Sequence, residues 1–226
     1  MNQDDAIRLQ ADEFQDTILR AVEQHPAPYL VKLRGLDYVM FPKTFNPNFA
    51  KPALFFLENL GVRAGDAVLD PFTGCVADAV FSALEGASKV VAIDKFTMPF
   101  LCTKYNVHQL GLADKVDVRQ GDLFDSLKEG EKFDLIVANP PFREMNSKND
   151  LEEAMRDSEY ETLKRFFREA KNHLKENGRI RLVFADVGDM NYLEKLADEN
   201  GFETKIVAQT IYASHVRIHV YEMTVA

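Results

Sequence analysis

Phe133-Asp134-Leu135-Ile136-Val137-Ala138-Asn139-Pro140-Pro141-Phe142 is the stretch on which the reading of this chain turns. Its first six residues form a nearly continuous apolar run, as in a strand buried on both faces. Two successive prolines end the run abruptly, because proline donates no ladder hydrogen bond. A polar carboxamide, Asn139, is thereby left at the C-terminal end of the strand, the edge where open α/β sheets bind ligands. An amide oxygen and a backbone carbonyl there can accept the hydrogens of a planar NH2 group. Phe142 can stack on that group's flat face. The stretch points to chemistry on nitrogen.

Outward from it, strands and helices alternate. Ala67 to Phe72, Lys89 to Asp94 and Val116 to Gln120 read as strands before this one, and Arg179 to Phe184 as a strand after it. Helices are expected at Ala77–Glu85, Met98–Leu110, Glu159–Lys175 and Tyr192–Asn200, with a short turn or helix near Leu123–Lys128. The Glu159–Lys175 segment carries Leu163, Phe166, Phe167, Ala170 and Leu174 at helical spacing, with Gly178 as its cap. Thr204–Ile211 and Val216–Met223 lie too close in sequence for a helical crossover and should form an antiparallel hairpin. The alternation argues a mainly parallel sheet with helices on both faces.

The preceding segment differs. Ile7 to Glu23 places Ile7, Phe14, Ile18, Leu19 and Val22 on one helical stripe, ended by His25-Pro26-Ala27-Pro28. Tyr29 to Phe41 reads as two extended pieces broken at Gly35, and Phe49 to Leu60 as a helix stopped by Gly61. Residues 1–61 are therefore expected to form a helical and extended cap used in substrate recognition, and residues 62–226 the α/β domain.

Of the 226 residues, 46% are hydrophobic, enough for a full core. No apolar run reaches the ~18 residues that a membrane span needs. The start, Asn2-Gln3-Asp4-Asp5, lacks the basic segment of a secretion signal. Cys75 and Cys102 are the only cysteines and form no CxxC pair, so a disulfide scaffold or cysteine zinc site is not expected and a reducing cytoplasm is. The five histidines include one pair at ligand spacing, His215 and His219, with no carboxylate or cysteine following nearby, so no metal is expected. A net charge of −9 argues against an unaided grip on nucleic acid, although a local basic patch remains compatible with it.

Three successive strands end in acids. The first runs into Asp70-Pro71-Phe72-Thr73-Gly74-Cys75, a strand, a glycine-bearing turn and then a helix. An acid at that tip disfavours a phosphate and favours a cationic or hydroxyl-bearing ligand. The Gly-Lys-Ser/Thr of a phosphate loop is absent. The second strand ends at Asp94, where a carboxylate can hold both hydroxyls of a ribose. The third ends at Gln120-Gly121-Asp122.

This succession resembles the class I S-adenosylmethionine-dependent methyltransferases. Asn139-Pro140-Pro141-Phe142 matches the (D/N/S)-P-P-(Y/F) motif of those acting on amino groups, including adenine N6, cytosine N4 and the glutamine amide of release factors. Asp70-Pro71-Phe72-Thr73-Gly74 is similar to the Asp-Pro-Phe-x-Gly of several such families. The resemblance covers roughly Val62 to Thr224. It implies a Rossmann-like three-layer sandwich with a seven-stranded sheet whose last strand is antiparallel, and S-adenosyl-L-methionine as cofactor. It further implies that Asp70, Phe72, Thr73, Gly74 and Cys75 line the methionine part of that cofactor. Asp94 would hold the ribose, with Lys95 beside the adenine, and Asp122 and Leu123 would contact the adenine itself. Asn139 would lie between cofactor and acceptor. Val76 departs from the pattern, standing where the family often has a third glycine.

The chemistry implied is an in-line displacement for which the protein supplies positioning and electrostatics. Asn139, Pro140, Pro141 and Phe142 form the catalytic set, and neither a metal nor a covalent nucleophile is required. Thr44-Phe45 is the candidate lid, and the long polar loop from Arg143 to Ser158 is the candidate acceptor loop, with Phe142 at its base. Asp150, Glu152, Glu153, Asp157, Glu159 and Glu161 face one base, Arg156, in this region. That balance suits a protein or small-molecule acceptor more than a phosphate backbone. Adenine N6 of RNA or DNA is the alternative acceptor, and a cofactor-binding protein without transferase activity is the second alternative.

Overall fold

The computed structural model describes residues 13, 15–74, 77–212 and 216–226. The described elements begin with a helix, α1 (residues 15–23), an antiparallel hairpin of β1 (Tyr29–Leu33) and β2 (Leu36–Met40), and a short helix α2 (Lys51–Leu57). The alternating part follows as β3 (Ala67–Asp70), α3 (Ala77–Leu84), β4 (Lys89–Asp94), α4 (Thr97–Gln109), β5 (Val116–Gln120) and β6 (Phe133–Ala138). After it come α5 (Asp150–Glu153), α6 (Glu161–Ala170), β7 (Leu174–Ala185), α7 (Met190–Glu199), β8 (Phe202–Tyr212) and β9 (Val216–Val225). Of the expected first helix, Ile7 and Phe14 lie outside the described residues, while Ile18 and Val22 are buried as expected.

Seven strands pair in the order β5-β4-β3-β6-β7-β9-β8. The pairs from β5 to β7 are parallel, and β9 runs antiparallel to both β7 and β8. The expected hairpin of β8 and β9 forms, and it inserts β9 between β7 and β8. From β3 the chain winds outward through β4 to β5, then returns to lay β6 on the other side of β3. The crevice beyond the C-terminal ends of β3 and β6 is thus the topological switch point, where sheets of this kind bind ligands.

Alternate residues of each central strand feed two separate cores. Val68, Val90, Ala92, Leu135 and Val137 pack with α2, α3 and the hairpin, whose Leu33, Tyr38 and Met40 are buried in the same cluster. Leu69, Val91, Ile93, Ile136 and Ala138 pack on the other face against Leu163, Phe166, Phe167 and Ala170 of α6 and Leu193, Leu196 and Ala197 of α7. Burial on both faces explains why these strands read as continuous apolar runs. Among the described residues no helix is long and apolar enough to cross a membrane.

The helix expected over Phe49–Leu60 is shorter, Lys51–Leu57, the strand expected over Ala67–Phe72 ends at Asp70, and the boundary after α6 is corrected. Helix α6 ends at Ala170 rather than Lys175, a 3-10 turn covers Lys171–His173, and β7 has already begun at Leu174. Gly178 is not a helix cap. It sits in a bulge where the pairing of β6 with β7 shifts between Phe133 and Leu135, and a Cβ there would lie 2.9 Å from the Phe133 carbonyl oxygen. Leu174 is buried from a strand and not from the helical stripe, which periodicity alone could not separate.

Asn106 of α4 holds the second strand of the hairpin from within the sheet domain. The Oδ1 of Asn106 on α4 accepts from the Val39 N–H at 2.8 Å, and its Nδ2 donates to the Val39 carbonyl at 2.8 Å and to that of Cys102 at 2.9 Å. Asn106 is 1% exposed. Asn106→Ala leaves the Val39 N–H without this partner and its carbonyl with the Cys102 thiol alone, at 3.4 Å, and a polar group so stranded costs about 1–3 kcal/mol. Urea unfolding should show a loss of at least ~1 kcal/mol on that scale. A loss below ~0.5 kcal/mol would show that the clip holds nothing.

Candidate active site

β6 ends at Ala138, and Asn139 to Phe142 form one wall of a cavity of about 390 Å³ at the switch point. Asn139 is half-buried, and its carboxamide makes no hydrogen bond to any described residue. Asn139 lines the cavity, and its carboxamide oxygen and nitrogen are unengaged among the described residues. Phe142 packs on Phe184 with ring centroids 5.1 Å apart and planes at 58° while still facing the cavity. Its carbonyl is held from behind by the Tyr160 hydroxyl, which donates to it at 3.4 Å and accepts from the Asp189 N–H at 2.8 Å. The turn after β7 can approach this closely only through Gly188, where a Cβ would fall 2.1 Å from the Phe142 oxygen.

The acids divide by role. Asp70 is fully buried and builds the turn after β3: its carboxylate accepts from the Thr73 hydroxyl at 2.8 Å and the Phe72 N–H at 3.3 Å. It lies behind the wall that Phe72, Thr73 and Gly74 form. Asp94, 8% exposed, does reach the wall. One of its oxygens accepts from the Gly74 N–H at 2.9 Å and the other from the Phe96 N–H at 2.9 Å, so it joins the turns that follow β3 and β4. Each oxygen keeps a free lone pair, which suits a ligand's paired hydroxyls. Burial, together with the nearby Asp122 charge, pushes the Asp94 carboxyl up to about 6 against the pull of those two amides and of Lys95. Asp122 pairs with Arg165 at 3.1 Å, and Leu123 beside it is buried with a left-handed backbone, φ 52°. Both line the cavity, as does Lys95. Cys75 and Val76 lie outside the described residues.

On the acceptor side, Phe45 and Arg143 line the cavity, whereas Thr44 is fully buried behind the wall and cannot meet a ligand there. Sequence reading did not anticipate how the cavity is roofed. Ile18 and Val22 of α1, Ala50 and Ala53 near α2, and Leu151 of α5 make a third, small apolar cluster, with Phe45 and Met155 against it. Arg156 bolts it together: its guanidinium donates to Gln15 at 2.8 Å and pairs with Glu152 at 2.8 Å and Asp16 at 3.3 Å. Gln15 in turn donates to the Met155 carbonyl at 3.1 Å. Lys95 closes the other side through Glu153, 2.5 Å away. The signal available in the sequence was the single base in an acid-rich stretch, since a lone cation among acids finds partners. Asp157 is also absorbed structurally, accepting from the Thr162 and Leu163 N–H groups at 3.0 and 2.9 Å.

The buried acids have a measurable consequence. A carboxyl whose folded pKa exceeds its unfolded value binds more protons in the native state, so its stabilising effect is complete at low pH and is lost as pH rises through the folded pKa. For Asp94 that window runs from the ordinary 3.8 to about 6. Carboxyl-carbon NMR titration of the free protein should place the Asp94 midpoint near 6, with Tm falling over the same interval. A midpoint at or below 3.8 would contradict the burial described.

A model of the methyltransferase small domain matches residues 48–212. The release factor glutamine methyltransferase of Rhodopirellula baltica is 27% identical over 203 residues, covering 84% of this chain and 68% of that protein. The ribosomal protein uL3 glutamine methyltransferase of Francisella tularensis is 27% identical over 197 residues, covering 76% of this chain and 60% of that one. Among solved structures, the T. thermophilus 16S rRNA N2 G1207 methyltransferase in complex with AdoMet and guanosine superposes with a TM-score of 0.62 at 24% identity. It covers 88% of this chain, which in turn spans 50% of that structure. The sheet order, the ligand crevice at its switch point and the match over most of the chain agree: this protein belongs to the methyltransferase small domain family.

Proposed function

We propose that this protein transfers a methyl group from S-adenosyl-L-methionine to a planar amide or amine nitrogen of a protein or small molecule. The observation that carries the reading is the unengaged Asn139 carboxamide on the cavity wall, across from the acids at the tips of β4 and β5. The residues present fit the cofactor. The cavity falls in the ~300–1,000 Å³ range of small-molecule sites. Asp94 presents free lone pairs for a diol, Leu123 and Phe96 supply apolar surface for a base, and Thr73 and Gly74 leave room beside the β3 turn. When bound, the cofactor supplies an electrophilic methyl carbon on a sulfonium.

The chain's own part is to present the acceptor. Asn139 Oδ1 and the Pro140 carbonyl accept the two hydrogens of the acceptor NH2, which draws the nitrogen out of conjugation and directs its lone pair. Pro140 and Pro141 keep that carbonyl out of the sheet ladder. Phe142, braced by Phe184 and by the Tyr160 hydroxyl, offers a flat face for the acceptor group. The roof made by α1, Phe45 and the segment after Asp150 excludes water, and residues 1–61 serve as the recognition extension to the donor-binding part, residues 62–226. We assign the activity to the cytoplasm, where a buried thiol such as Cys102 stays reduced.

The net charge of −9 favours a protein or small-molecule acceptor. The acidic loop contributes less to this than its composition suggests, because Glu152, Glu153 and Asp157 hold structural partners. Adenine N6 of RNA or DNA is the second reading, supported by the similarity to a tRNA1(Val) (adenine(37)-N6)-methyltransferase, 31% identical over 122 residues. The two separate by salt: transfer to RNA should fall steeply as salt rises, and transfer to a glutamine-bearing protein should not.

Asn139→Ala should lower methyl transfer by ~100-fold or more, the scale of removing one oriented polar group from a reaction centre. Its affinity for S-adenosylhomocysteine should stay within about twofold, since the lost contacts face the acceptor. Turnover like that of the native protein would remove the role assigned to Asn139. Separately, Asp94→Ala should weaken S-adenosylhomocysteine binding by about 1–3 kcal/mol in titration calorimetry. Equal affinity would refute the diol assignment.

A further inference from the structure

One acid of the cavity wall has no task in the scheme above. Asp78 lies in the first turn of α3, is 7% exposed and faces the cavity. No described residue donates a hydrogen bond to it or forms an ion pair with it. The other buried aspartates all have partners. Asp70 is held by Thr73, Asp94 by Gly74 and Phe96, Asp157 by Thr162 and Leu163, and Asp66 by Arg63 and Arg179. The charge nearest to Asp78 is the buried carboxyl of Asp70, which makes its own ionisation harder, and burial pushes both groups upward. A helix N-terminus favours an acid, but an exposed acid would gain that without desolvation.

We propose that Asp78 is the seat of the ammonium group at the amino-acid end of the cofactor. This rests on the reading of the cavity as an S-adenosylmethionine site. The order of polar groups along the sheet edge carries it. From β5 to β6 they run Asp122, Asp94, then the β3 turn with Asp78 on the helix behind it, then Asn139. A base, a diol, a cationic amino-acid tail and an acceptor nitrogen match that order. The cations on the wall cannot serve Asp78 instead. Lys95 is held by Glu153 at 2.5 Å, and Arg143 is itself engaged. The remaining charged groups on the wall, Asp94, Asp122 and Glu153, are acids, with Asp70 behind it.

Cofactor loading is then linked to proton release. In the free protein burial and the neighbouring Asp70 carboxyl push the Asp78 carboxyl toward its protonated form. An ammonium seated on Asp78 favours the carboxylate, so binding releases a proton wherever the free carboxyl holds one. Because the bound-state pKa lies below the free-state value, affinity rises with pH across the interval between the two. The nitrogen stays an ammonium throughout, and no covalent bond changes.

The test compares S-adenosylhomocysteine with 5′-methylthioadenosine, which keeps the adenosine and thioether but has neither ammonium nor carboxylate. Calorimetry of the native protein in phosphate and Tris buffers reads the protons exchanged. Proton release with S-adenosylhomocysteine should exceed that with 5′-methylthioadenosine, and any titration of Asp94 cancels between the two. Asp78→Asn should bind S-adenosylhomocysteine at least about tenfold more weakly, bind 5′-methylthioadenosine within about twofold of native, and lose the excess proton release. Equal proton release for the two ligands in the native protein, or native-like S-adenosylhomocysteine affinity in Asp78→Asn, overturns this assignment and leaves the cofactor reading standing. Failure of the native protein to bind either ligand overturns both.

Discussion

The parallel pairing of β3 with β6 is the constraint on which the site depends. Val68 lies opposite Leu135 and Leu69 opposite Ile136, so the glycine turn after Asp70 and the proline stop after Ala138 emerge side by side. A slip of one residue would exchange the two cores, because neighbouring residues on each strand face opposite layers. Val68 and Leu135 belong to one core, and Leu69 and Ile136 to the other. The same register that separates the cores therefore also sets Asn139 beside the turn that follows β3.

Rigidity at this edge comes from backbone amides captured by side chains. Asp94 ties together the turns after β3 and β4, and the Tyr160 hydroxyl joins the Phe142 carbonyl to the start of α7. In each case one polar side chain takes up peptide groups that the ends of strands leave without ladder partners. This edge of the sheet is irregular in backbone yet well determined in position, as the proposed role by orientation requires.

The roof is built by a different kind of contact. Its apolar cluster is small, and a buried arginine, Arg156, connects α1 to α5 through Gln15, Asp16 and Glu152. Breaking one arm of such a network leaves a buried cation short of partners, so its members act together. The acidic loop thus has two jobs. Part of its charge fastens the roof and caps α6, and the remainder lies in solvent.

The strand and helix alternation, the two closing strands, the proline stop with its amide and the acids at the strand tips were all legible in the chain. Each is a local signal: a run of apolar residues, a residue that cannot donate, a carboxylate at a fixed place in a repeating unit. Which acids reach the cavity is settled by the fold. Asp70 and Asp94 look alike in the chain, but the Thr73 hydroxyl and Phe72 amide occupy Asp70 behind the wall, while Asp94 reaches through it. Nothing local marks Asp78 in its helix or shows that Arg156, the one base among six acids, is buried. The end of α6 and the bulge at Gly178 were hidden as well, because the bulge arises from register against β6. Periodicity reports which face of an element is apolar. Partnership, burial and register depend on residues far apart in the chain, and folding alone brings those together.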